Sequence, residues 1–207
     1  MENTMQNTVQ MLSPDKTDVL NDSTAEKEML FSQLMSVGGS RQNDFYLARI
    51  LSSWLTNRGI LPAALGIGEN NYREMVARHF DNHPLVTSEA SKPQFDRERV
   101  PEWEDVVNLL MEYRAGKDVS EQWIAQIVAA ACMGFDHLWQ DLGLWNRSEL
   151  SQLLVLNFPD LANRNTKDMK WKKFLYKQLC ERDGTYVCRS PSCDVCADYN
   201  VCFGPEE

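Results

Sequence analysis

Four of the six cysteines fall within fifteen residues, Cys188-Arg-Ser-Pro-Ser-Cys193-Asp-Val-Cys196-Ala-Asp-Tyr-Asn-Val-Cys202, a C-x4-C-x2-C-x5-C spacing. Pro191, Asp194 and Asn200 are turn formers, so the segment reads as a loop that folds back on one point where the thiols converge. Disulfides are the commonest use of such density. The opening residues Met1 to Thr24 have neither a basic n-region nor an apolar h-region, however, and a reducing cytoplasm keeps thiols free. Two metal chemistries remain. Structural zinc usually takes two Cys-x2-4-Cys pairs about a dozen residues apart, a separation missing here. Iron–sulfur clusters accept several cysteines from one short loop, because a cubane is larger than a single ion. The spacing leaves both open.

A charge anomaly lies just upstream. Arg164, Lys167, Lys170, Lys172, Lys173 and Lys177 face one acid, Asp168, in a chain whose net charge is −9. Wound as a helix, Lys167, Lys170, Lys173 and Lys177 share one face, and Trp171, Leu175 and Leu179 share another. Lysines on a solvated helix face are commonplace. Beside four thiolates the same lysines would balance negative charge and draw in small anions.

Other candidates are weaker. His137 and Asp141 stand four apart on a presumed helix, where a carboxylate can orient an imidazole, so His137 is a candidate extra ligand. His79 and His83 have the same spacing, but Pro84 puts the second at or beyond the helix end. Cys132 sits on an apolar stripe with Val128 and Ile124 and reads as core, and Cys180, beside Tyr176 and Leu179, reads as buried too. No Gly-x-Ser-x-Gly, phosphate loop or His-Glu-x2-His occurs, which disfavours hydrolase and kinase chemistry.

The elements that must position these groups are helical. The chain has 207 residues, 43% of them hydrophobic, 10% aromatic and 25% charged, the composition of a globular protein with a real core. Phe45, Ile50, Leu51, Trp54 and Leu55 recur at helical spacing, with Gly59 placed as a left-handed cap. Val106, Val107, Leu110 and Met111 repeat the pattern between Pro101 and Gly116. Asp118 with Glu121 has capping-box spacing ahead of Trp123, Ile124, Ile127, Val128 and Ala131, expected to be the central buried helix. Asn146 with Glu149 repeats the cap before Leu150, Leu153 and Leu154, and Pro159 closes that segment. No strand is evident. The expectation is an all-α chain: a disordered tail over 1–24, a bundle-like helical domain over 25–182 with a long loop near 82–101, and an irregular Cys-rich cluster loop over 183–207. No window approaches the roughly 18 apolar residues of a membrane span. With a net charge of −9, nucleic acid and anionic membranes are disfavoured partners, and a cytoplasmic location is expected.

Met169-Lys-Trp-Lys-Lys-Phe-Leu-Tyr-Lys-Gln-Leu-Cys180, the four-cysteine pattern and Phe203-Gly-Pro-Glu206 closely resemble the C-terminal half of the NifQ family. So do Asp136-His-Leu-Trp-Gln-Asp-Leu-Gly-Leu144 and Phe158-Pro-Asp-Leu-Ala162. The resemblance covers about Gly134 to Glu206. It implies a nitrogen-fixation accessory protein, not an enzyme, that processes molybdenum for the nitrogenase iron–molybdenum cofactor. It further implies that Cys188, Cys193, Cys196 and Cys202 hold an iron–sulfur cluster of the [4Fe-4S] or [3Fe-4S] type, with molybdate as the source anion. The implied partners are the cofactor-assembly scaffold and dinitrogenase reductase. Two readings compete on the residues alone: a structural zinc module that docks a partner, and an electron-transfer protein with a permanent cluster.

Overall fold

The computed structural model describes residues 16–87, 92–93, 101–182, 184 and 199–206. These residues are all-helical: α1 (Lys16–Val37), α2 (Asp44–Leu55), a 3-10 turn (Ala63–Gly66), α3 (Glu69–Phe80), α4 (Pro84–Thr87), α5 (Pro101–Glu112), α6 (Ser120–Cys132), α7 (Leu138–Leu142), α8 (Arg147–Asn157), α9 (Pro159–Ala162), α10 (Trp171–Arg182) and α11 (Tyr199–Phe203). No strand occurs among them.

The core is organised around α6. Ile124, Ala125 and every residue from Ile127 to Cys132 are buried, as a helix whose second half is enclosed by its neighbours requires, while Gln122 faces solvent. It packs on α5, α7, α3 and the 3-10 turn, while α1 lies on α2 and α10 on α5. The carboxylate of Glu121 accepts the backbone N–H groups of Gly116, Lys117 and Asp118 at 2.7, 2.8 and 3.1 Å, so the acid of the expected cap ties down the whole loop that enters α6. Asn146 Oδ1 accepts from Glu149 N at 2.9 Å, which is the cap expected at α8.

A buried amide network joins three helix ends. Asn43 Nδ2 donates to Ser120 Oγ and to Asn157 Oδ1, each at 2.7 Å, and Asn157 Nδ2 returns a bond to Asn43 Oδ1 at 2.9 Å. The start of α2, the start of α6 and the end of α8 are thereby held in register.

Several boundaries differ from the sequence reading. Helix α1 begins at Lys16, inside the expected tail. Helix α4 occupies part of the long loop, and α11 lies within the stretch expected to be irregular. Helix α2 stops before Gly59, at Thr56, and Asn57 takes the left-handed conformation with φ 58°. No helix among the described residues is long and apolar enough to cross a membrane.

Candidate metal centre

Helix α10 starts at Trp171, later than the lysine periodicity suggests. Asn165 folds a loop with its own side chain, accepting from Met169 N and donating to Met169 O, each at 2.8 Å. Asp168 takes φ 54° in that loop, so the helical run cannot pass through it. Lys167 and Lys170 therefore precede the helix, Lys173 and Lys177 lie on it, and the single four-lysine face is not formed. The apolar side of the expectation holds: Trp171, Leu175 and Leu179 are buried together with Phe174.

What the structure builds instead is a cleft of about 410 Å³ between the entry to α7 and the start of α10, lined by His137, Lys170, Lys172, Lys173, Val201 and Glu206 among others. The segment bearing the last motif cysteine closes one side of it. Lys170 N donates to the carbonyl of Cys202 at 2.8 Å, and Lys170 Nζ reaches the carbonyl of Asn200 at 3.4 Å. Cys202 is half-buried against the core and is not in a disulfide. Cys188, Cys193 and Cys196 lie outside the described residues. Lys167 and Lys177 do not line the cleft, and Lys177 Nζ is 3.6 Å from Glu181 Oε1.

His137 sits at the N-cap of α7 with its backbone N–H bonded to Gln140 Oε1 at 3.2 Å. Its Nδ1 is 3.8 Å from Glu206 Oε1. Arg147 gathers this corner: it meets Glu206 Oε2 at 3.4 Å, Asp168 Oδ2 at 2.6 Å and the carbonyl of Asp168 at 3.1 Å. The C-terminal segment and the Asn165 loop are thus held against α8 by one guanidinium, whose planar fork suits several acceptors.

Asp141 does not orient His137. It is buried and pairs with Lys172, whose Nζ also donates to the carbonyl of Gly134 at 3.0 Å. A Cβ at Gly134 would meet the Asp141 carboxylate, so a larger residue there would have to push the acid away from Lys172. Lys172 was one basic residue among six in the sequence; its buried partner could not be seen because Asp141 is thirty-one positions away. Arg147 and Glu206 carry no spacing signal of their own, although Glu206 belongs to a motif that carries the resemblance.

The remaining candidates resolve as structure. Cys132 is buried in the core, and burial pushes its thiol up to about 12, which disfavours the free thiolate at neutral pH. Cys180 is half-buried on α10 rather than fully buried. His79 is buried with Nδ1 2.6 Å from Asp44 Oδ1, and Leu85 N approaches His83 Nδ1 at 3.4 Å, so the two histidines serve different partners. Among the described residues no group of three or more His, Cys, Asp or Glu side chains is arranged to hold a metal ion.

A family model described as NifQ matches residues 46–204. The chain belongs to the NifQ family. Protein NifQ of Azotobacter vinelandii is 48% identical over 181 residues, covering 83% of this chain and 93% of that protein. Protein NifQ of Rhodobacter capsulatus is 34% identical over 163 residues, 78% of this chain and 88% of the relative. The NifQ homolog of Sinorhizobium fredii is also 34% identical over 163 residues, 78% of this chain and 70% of the relative. No solved structure matches. Membership of the NifQ family implies a role related to nitrogen fixation.

Proposed function

We propose that this chain is a cytoplasmic carrier, not a turnover enzyme, that takes up molybdenum and donates it for assembly of the nitrogenase iron–molybdenum cofactor. Cys188, Cys193, Cys196 and Cys202 hold an iron–sulfur cluster in this reading. Cys202, the one member among the described residues, fits that use: it is a free thiol, half-buried, on a segment fixed at its carbonyl. When bound, the cluster supplies sulfide, the soft ligand that molybdenum lacks as an oxyanion.

The observation that carries the proposal is the hydrogen bond from Lys170 N to the Cys202 carbonyl, which sets the end of the cysteine segment beside a cleft lined by Lys170, Lys172, Lys173 and His137 together with Asp136 and Glu206. Lys170 and Lys173 on its wall attract molybdate, while Lys172 is committed to Asp141. In this reading His137, which lines the cleft, offers an imidazole ligand to the cargo. Delivery is to the cofactor-assembly scaffold and dinitrogenase reductase.

The test compares molybdenum per iron after anaerobic growth with molybdate. A Lys170→Gln, Lys173→Gln variant is expected to keep its iron and to load several-fold less molybdenum, the gap closing as salt rises. A Lys167→Gln, Lys177→Gln variant, altered outside the cleft, is expected to load normally. Equal molybdenum in all three proteins across salt overturns the assignment of the cleft.

A further inference from the structure

The four residues after Cys202, Phe203-Gly204-Pro205-Glu206, turn the chain back on itself. Gly204 N donates to the carbonyl of Asn200 at 2.9 Å, and a Cβ on Gly204 would collide with that same carbonyl. A larger residue there would have to open the turn that ends α11 and carry Glu206 away with it. Beyond the turn, Glu206 meets Arg147, the first residue of α8, with Oε2 3.4 Å from Arg147 Nε. The Glu206 side chain is 5% exposed, so its charge depends on that partner.

Arg147 holds the other side of the same segment. Its Nη1 donates to Asp168 Oδ2 at 2.6 Å, and its Nη2 to the carbonyls of Asp168 and Met169 at 3.1 and 3.4 Å. The next residue, Lys170, donates its backbone N–H to the Cys202 carbonyl at 2.8 Å. Cys202 is thus bracketed: one clamp acts on its own carbonyl, the other on the chain four residues later, and both meet in one guanidinium. The hydrogen bond to Asp168, with the charges of Asp168 and Glu206, raises the Arg147 pKa against partial burial. A lysine would keep the charge but lose the planar fork that reaches both sides.

We propose that Arg147 is a positioning residue that fixes where the Cys202 thiol stands beside the cleft, acting through Glu206 on one side and through the Asp168–Lys170 backbone on the other. A ligand must be held within about 0.5 Å of its productive place. Cys202 lies on α11, a five-residue helix with no buried residue, so polar anchors do there what packing does elsewhere. In assigning that thiol to a metal, the inference rests on the carrier reading above; the hold of Arg147 on the segment does not.

The experiment compares the full chain with Arg147→Ala, Arg147→Lys, Glu206→Ala and the double Arg147→Ala, Glu206→Ala variant. Arg73→Ala, which breaks an exposed pair on α3, is the control. In the metal-free proteins the alkylation rate of each cysteine is followed by peptide mass spectrometry, with helical circular dichroism beside it. Release of the segment governs access to the half-buried Cys202 thiol, so its alkylation is expected to quicken about tenfold in Arg147→Ala and severalfold in Arg147→Lys and Glu206→Ala. Cys132, buried in the core, is expected to keep its rate throughout, and Glu206→Ala is expected to add little once Arg147 is gone. A Cys202 rate unchanged in Arg147→Ala overturns the proposal, as does one that rises only together with that of Cys132, the mark of general unfolding. Glu206→Ala decides by the same criteria should Arg147→Ala lose helical content. After anaerobic purification, iron per chain is expected to fall in Arg147→Ala and Glu206→Ala at unchanged helical content; full iron in both, beside an iron-bearing parent, overturns the proposal. Absence of iron from the parent as well overturns the carrier reading instead and leaves the alkylation result standing.

Discussion

Lys172, which lines the cleft beside Cys202, pairs with Asp141, itself 1% exposed, and the consequence is asymmetric. Removing one partner leaves a charge stranded in a poorly solvated place, which costs about 3–5 kcal/mol. Asp141→Ala is therefore expected to lower the denaturant midpoint sharply, and a double Asp141→Leu, Lys172→Met variant is expected to recover most of the loss. Equal destabilisation by the single and double variants would refute the pairing. Cys132 offers the opposite case: it is enclosed and keeps its proton, so Cys132→Ala is expected to leave bound iron unchanged while costing roughly 1–2 kcal/mol of packing. Loss of iron in that variant, with the fold intact, would show that the thiol is a ligand after all. At this scale the sequence was informative about residue type and poor about partners. The acid–imidazole spacing of Asp141 and His137 was plain, yet the acid went to a lysine from another helix, because a buried carboxylate takes the cation that can be desolvated with it.

Helices were legible where an apolar stripe and a cap agreed. The Asp118/Glu121 and Asn146/Glu149 spacings both mark helix starts, and Glu121 does more than a local cap by accepting three loop N–H groups. Glu121→Ala is expected to cost about 2–4 kcal/mol, read as a shift of the urea midpoint; a shift under about 0.5 kcal/mol, the scale of a neutral surface change, would mean that water replaces those bonds. The Lys167–Lys177 stripe misled because periodicity has no term for a loop that closes on its own side chain, as Asn165 does over Met169. The network of Asn43, Ser120 and Asn157 escaped for a related reason: its members lie 77 and 114 positions apart, and polar residues carry no long-range pattern. The cysteine loop beyond Gly184 was legible as spacing alone, and three of its four thiols lie outside the described residues.

For the whole molecule, stability should depend on pH through His79, which burial holds below its ordinary value of 6.5, with Asp44 opposing the shift. A histidine kept neutral in the fold binds its proton more readily when unfolded. Its contribution is thus complete above 6.5 and is lost as pH falls through that value. Unfolding free energy is expected to decline from pH 7.5 to 5.5, and His79→Gln is expected to flatten that slope. An unchanged slope in the variant would assign the dependence to other groups.

Against a net charge of −9, Lys170, Lys172 and Lys173 stand together in the cleft beside the Cys202 segment. That arrangement matters only if a cluster is there to receive the cargo. The measurement that bears on this most directly is iron, acid-labile sulfide, molybdenum and zinc per chain after anaerobic purification from cells grown with molybdate, for the chain and for Cys202→Ser. The account predicts a brown protein with iron and sulfide near cubane stoichiometry and some molybdenum, all much reduced in the variant at unchanged helical content. A colourless protein with about one zinc per chain, and no iron even after anaerobic reconstitution, would contradict it.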